Sequence, residues 1–168
     1  MRPASPTSFT WVTAMTSSSR NGLLALVFLS APLAWAGLGD NEGSITGERM
    51  RMRAFHSVSR ATAYTLHELK GADGSRVTQY VAGNGQIFAI RWHTLYKPDL
   101  ASLLGSAFPT YSKAAQGAAQ RGGIQRQFLH QGSDLVMQSS GHMNVYAGFA
   151  YRPSLLPPGL NPQTLGLG

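Results

Sequence analysis

The chain has 168 residues, and its 19 glycines, 9 prolines and 12% of charged residues favour turns and short strands over long solvated helices. It contains no cysteine, which excludes disulfides, thiolate catalysis, cysteine-ligated zinc and attachment to lipid through a lipobox cysteine. The net charge of +7 comes without a basic stripe interleaved with stacking aromatics, so we expect no nucleic-acid partner.

The first 36 residues have the three parts of a secretory signal. Arg20 gives a positive start, residues 22–29 form a short apolar run, and Ala34 and Ala36 present small side chains to a peptidase. We therefore expect cleavage before Gly37 and export to the periplasm or the medium.

The length of this leader, and of its apolar run, bears on where translation starts and on whether the leader could anchor the protein in a membrane. Residues 1–14 make an unusually long preface, and a start at Met15 would give a leader of ordinary length. The apolar run is much shorter than the roughly 20 residues that a membrane-spanning helix needs. We therefore expect no stable transmembrane segment after cleavage.

Residues 37–60 are polar and lack sustained periodicity, which predicts an extended or partly disordered arm. A short strand within this arm is compatible with the apolar residues Met50, Met52, Ala54 and Val58. Three β-prone runs follow at residues 63–70, 76–82 and 86–93, separated by Asp-Gly and Asn-Gly pairs that suit tight hairpins. In the third run Phe88, Ile90 and Trp92 alternate with smaller or polar residues. This pattern predicts that the three large side chains share one face.

Residues 98–108 carry apolar side chains along one helical stripe, and we expect Pro109 to end or kink this helix. A second short helix is predicted over residues 111–120. Three more strands are predicted at residues 124–130, 134–139 and 143–152, with turns at 131–133 and 140–141. The tail, residues 154–168, is rich in proline and should lie across the surface or stay mobile.

These elements predict an α+β fold. We expect a curved antiparallel sheet built from two three-stranded meanders, with one helical segment between them that covers its apolar face. The α+β domain would span residues 61–153 and precede the proline-rich tail.

No catalytic, cofactor or metal motif stands out. The five histidines lie on five predicted segments, none in a two-histidine helix motif, and no nucleophile elbow or phosphate loop is present. The only candidate catalytic cluster consists of His130, Asp134 and His142, which flank adjacent turns of the second meander. Solvated turn residues would produce the same pattern.

The aromatic residues offer a candidate binding face. Trp92, Tyr96 and Tyr146 either line a groove for a glycan or peptide, or supply packing within the sheet. We expect a non-enzymatic binding or accessory protein of the cell envelope, with an unidentified envelope protein or glycan as partner. The alternative is a small hydrolase acting on an envelope polymer through His130 or His142 with Asp134.

Most of the chain after the leader resembles a family of small exported bacterial proteins catalogued as domain of unknown function 2844. The blocks that carry the resemblance are residues 37–39, 77–92, 98–100, 103–105, 132–143, 148, 151–153 and 156–159. Residues 93–96 depart from the family pattern, which has a Gly-Pro pair after the tryptophan. The resemblance implies an exported domain of Gram-negative bacteria, and it brings no established activity, cofactor or catalytic residue.

Overall fold

The structure is a computed structural model that describes residues 37–120 and 127–168. The predicted leader, with Ala34 and Ala36, and the start of the strand predicted at 124–130 lie outside the described residues. The strands are β1 (Phe55–Arg60), β2 (Tyr64–Lys70), β3 (Arg76–Ala82), β4 (Ile87–Thr94), β5 (Gln127–Gln131), β6 (Val136–His142) and β7 (Val145–Tyr151). The helices are α1 (Ile45–Met52), α2 (Leu100–Leu104) and α3 (Phe108–Gln120).

All seven strands form one antiparallel sheet in the order β1-β2-β3-β4-β7-β6-β5. The α+β class and the helical segment between two groups of strands are therefore confirmed. The Asp-Gly and Asn-Gly turns separate β2, β3 and β4 as their chemistry predicts, with Gly74 and Gly85 at φ of 88° and 81°.

The first group has four strands instead of three, because residues 37–60, which were predicted as an extended or partly disordered arm, contribute one strand. This segment forms α1 and then the edge strand β1, which pairs with β2. Every residue of β1 is exposed, and only Ile45 and Glu48 of α1 are buried. Neither element therefore carries the apolar periodicity by which a buried element is recognised.

One turn and one helix break lie at residues other than those predicted. The hairpin between β6 and β7 turns at Met143 and Asn144, which adopt φ of 42° and 63°, whereas residues 140–141 belong to β6. The helix predicted over residues 98–108 breaks at Gly105, which adopts φ of 46°. Pro109 lies in the first turn of α3, where its missing N–H costs nothing.

The prediction that Phe88 shares a face with Ile90 and Trp92 is wrong. Tyr80 pairs with Ala89 and Val81 pairs with Ile87, so Phe88 is the extra residue of a β-bulge. The bulge turns Phe88 to the opposite face of the sheet. Both faces consequently have an apolar core.

The first face is covered by the helices. Ile90, Trp92, Leu103, Leu104 and Met137 are among the buried residues of this core. The second face is covered by the proline-rich tail, whose leucines pack on the aromatic residues of the sheet. The residues of this second core include Tyr64, Tyr80, Phe88, Phe149, Leu156, Leu160 and Leu167. The tail is thus an integral layer of the fold.

Candidate functional site

A pocket of about 480 Å³ lies on the first face of the sheet, between α3 and strands β4 to β7. Four aromatic side chains form its walls and floor, and among the described residues Lys97 is the one charged residue that lines it. The four aromatic residues are Trp92, Tyr111, Phe128 and Tyr146. Two of the three residues predicted as a binding face, Trp92 and Tyr146, therefore meet in one pocket.

The floor of the pocket depends on a glycine. Trp92 is directly opposite Gly148 across β4 and β7, and a Cβ atom at position 148 would lie 2.5 Å from Trp92 Cζ2. The missing side chain allows the indole to lie against β7. Trp92 is only 2% exposed, so it contributes to the core as well as to the floor.

The helical wall is an aromatic cluster. Tyr111 of α3 meets Phe128 of β5 edge to face, with ring centroids 5.2 Å apart, and contacts Phe108 at 5.8 Å. Such pairs contribute about 0.5–1.5 kcal/mol beyond their buried area. Burial raises the pKa of the Tyr111 hydroxyl.

Tyr146 forms the opposite wall and is partly exposed. Its ring lies over Gly141, where a Cβ atom would approach it to 3.0 Å. This close approach explains why Gly141 lies inside a strand, although its sequence context predicts a turn. The Tyr146 ring thus packs on the backbone of β6 at Gly141 and also lines the pocket.

The third predicted residue, Tyr96, lines a neighbouring pocket of about 450 Å³ and is 72% exposed. Lys97 and Pro98 line both pockets and separate them. The charged wall of the second pocket is an internal network, because Arg51 pairs with Glu48 and lies 3.5 Å from Asp99. Asp99 in turn caps α2 by accepting from the backbone amide of Ala101.

A family model described as "Protein of unknown function (DUF2844)" matches residues 34–165. The chain belongs to the DUF2844 family. The matched span contains every strand, the three helices and both pockets of this DUF2844 domain. No curated protein and no solved structure matches the chain significantly.

The three residues of the predicted catalytic cluster are not brought together in this DUF2844 domain. His130 and Asp134 lie near the β5–β6 hairpin, whereas His142 ends β6. Because a strand advances about 3.3 Å per residue, His142 lies about 20 Å from that hairpin. Asp134 is paired with Arg152 at 2.5 Å and so fastens the hairpin to the end of β7.

One cluster of titratable side chains, which the sequence did not indicate, links the residues just before α1 to the strands at the edge of the sheet. His67 Nδ1 lies 3.1 Å from His56 Nε2, and their rings stack with centroids 5.2 Å apart. His67 Nε2 lies 3.1 Å from Glu42 Oε1, although without good hydrogen-bond direction. Burial lowers the pKa of His67, opposed by the Glu42 carboxylate. The sequence did not indicate this cluster because it gives no sign that β1 pairs with β2, and this pairing brings His56 beside His67.

No group of three or more ligating side chains in residues 37–120 and 127–168 is arranged to hold a metal ion. Across the same residues, no helix combines the length and the apolar character needed to cross a membrane.

Proposed function

We propose that this DUF2844 protein is an exported, non-enzymatic binding protein of the cell envelope, which holds an uncharged segment of a glycan or peptide in the pocket between α3 and the sheet. One observation carries the proposal. Trp92 and Tyr146, which are far apart in the sequence, meet in an aromatic pocket whose lining, in the part of the chain that the structure describes, contains no carboxylate and no imidazole.

The size and chemistry of the pocket suit such a ligand. Its volume of about 480 Å³ falls within the range of roughly 300–1,000 Å³ found for small-ligand sites. Within the described residues, the Tyr111 and Tyr146 hydroxyls have no hydrogen bond to the protein. Both can therefore bond a ligand that lies against the aromatic rings, while Lys97 at the rim supplies one positive charge.

Fluorescence can test this site directly. The three tryptophans are at positions 11, 35 and 92, so removal of the leader would leave Trp92 as the sole reporter. We expect saturable changes in its emission when soluble peptidoglycan fragments or uncharged gluco-oligosaccharides are titrated into the exported protein. Tyr146→Ala should weaken binding about tenfold, which is typical for the loss of an aromatic anchor.

Tyr96→Ala is the matched control, because Tyr96 is an exposed aromatic residue of the neighbouring pocket. It should leave the affinity unchanged. Equal losses in both variants, or emission that does not saturate with any probe, would contradict the assignment of this pocket. Recovery of the protein in the cytoplasm with its leader intact would contradict export.

A further inference from the structure

The residues that follow the predicted cleavage point are built into the core. Leu38 is fully buried, and its amide donates to the Leu103 carbonyl at 3.0 Å. Gly39 donates to Ile87 at 2.8 Å, and Ile87 donates back to Asp40 at 2.9 Å. This short segment therefore ties the start of β4 to the end of α2.

Gly37 is held against α2 as closely as a backbone allows. A Cβ atom at position 37 would lie 2.2 Å from Gly105 Cα and 2.8 Å from the Ser102 carbonyl oxygen. Its backbone nitrogen donates to Asp40 Oδ2 at 2.9 Å. The Gly37 backbone is thus held both by its close packing on α2 and Gly105 and by its hydrogen bond to Asp40.

The Asp40 carboxylate has no positively charged partner among residues 37–120 and 127–168. Within the described residues it forms no ion pair, and burial raises the pKa of its carboxyl, opposed by the hydrogen bond from Gly37. A partly buried carboxylate with an amide donor and no countercharge is incompletely stabilised.

We propose that Asp40 is the binding site for the α-ammonium group that cleavage before Gly37 creates. The inference rests on the export step of the proposed function. Hydrolysis adds one water across the Ala36–Gly37 bond: Ala36 keeps the new carboxylate, and the Gly37 nitrogen gains protons to become –NH₃⁺. The neutral N–H donor at 2.9 Å from Asp40 then becomes its countercharge.

The arrangement is specific to this bond. Cleavage one residue later would remove the nitrogen that contacts Asp40. Cleavage one residue earlier would move the ammonium group along the chain by about 3.8 Å, the spacing of successive Cα atoms. Processing at Gly37 alone places the positive charge on the carboxylate without any rearrangement.

The full-length gene, expressed with export, provides the material for the test. Mass spectrometry first identifies the N-terminal peptide, and the pH dependence of its α-amine acylation gives the α-amino pKa. We expect Gly37 as first residue and a pKa raised above the usual range of about 7.7–8.0. In Asp40→Asn, which keeps a hydrogen-bond acceptor, acylation at pH 7 should be about tenfold faster, as one pKa unit requires.

Asp73→Asn is the control, since Asp73 likewise accepts from a backbone amide, that of Ser75, but lies in the β2–β3 turn. It should leave acylation unchanged. A first residue other than Gly37 overturns both this inference and the proposed processing. A chain that begins at Gly37 with an unshifted α-amino pKa overturns the Asp40 site and leaves export standing.

Discussion

Gly148 shows how one residue shapes the candidate site. Its missing side chain provides the space in which the Trp92 indole lies, and a Cβ atom there would also come within 2.4 Å of the Gln138 carbonyl oxygen. Neither backbone nor indole can yield easily inside a packed sheet. We therefore expect Gly148→Ala to lower the free energy of unfolding by about 1–3 kcal/mol, measured by urea denaturation.

Gly117 is the appropriate comparison for that variant. It lies within α3, where an added Cβ atom would meet nothing within 4 Å. Gly117→Ala should raise the free energy of unfolding by about 0.5–1 kcal/mol, because alanine loses less backbone entropy in a helix. Similar effects of the two substitutions would show that contact with Trp92 does not decide the outcome.

His67 makes the stability of the fold depend on pH. Its pKa is lowered mainly by burial, so the folded state favours the neutral imidazole more than the unfolded state does. This contribution to stability is fully present above the unfolded pKa of about 6.5 and is lost as the pH falls through the lower folded pKa. The melting temperature should therefore fall on acidification below about pH 6.5.

Substitution separates this effect from general acid sensitivity. His67→Gln should flatten the change in melting temperature between about pH 6.5 and the lower folded pKa. His142→Gln, at an exposed position at the end of β6, should leave that change as it is in the unaltered protein. An unchanged pH profile in His67→Gln would assign the acid sensitivity to other groups.

Among the elements, the tail has the clearest energetic role. Leu167 is 1% exposed and lies in the second core with Tyr80 and Phe88. Leu167→Ala should lower the free energy of unfolding by about 2–5 kcal/mol, as buried leucines do on truncation. The comparison is Leu129→Ala on β5, where the leucine is 64% exposed and the effect should stay within about 0.5 kcal/mol.

Equal small effects at positions 167 and 129 would mean that the tail leaves the sheet in solution. The chain would then expose the aromatic residues of the second face, among them Phe88. Denaturant titration of both variants and of the unaltered protein distinguishes these cases.

The elements that sequence predicted well are those with strong local signals. β2, β3 and β4 are separated by turns whose glycines need positive φ, and their residues are rich in β-branched and aromatic side chains. α1 was missed, and the region of β1 was predicted only as an arm with room for a short strand, because so few residues of these elements are buried. For the tail, the prolines exclude a regular α-helix or central strand, and the irregularly spaced leucines that pack on the sheet give no periodic signal from which this packing could be predicted.

At the scale of the whole molecule, the pairing of β4 with β7 creates the candidate site. Trp92 and Gly148 are partners in this pair, yet α2, α3, β5 and β6 lie between them in the chain. Aromatic composition was enough to suggest Trp92 and Tyr146 as binding residues. It could not show that Tyr96 lines the neighbouring pocket instead, because that depends on where the tertiary fold places Lys97 and Pro98 between the two pockets.

The bulge in β4 has a consequence for insertions and deletions. Loss of Phe88 would leave Ile87 opposite Val81 and Ala89 opposite Tyr80 in an uninterrupted ladder. A one-residue gap at this position is therefore compatible with an unchanged register, although it empties part of the second core. Deletion of a residue farther along β4 would instead shift the pairing by one position, so that the side chains beyond the deletion would point to the opposite face of the sheet.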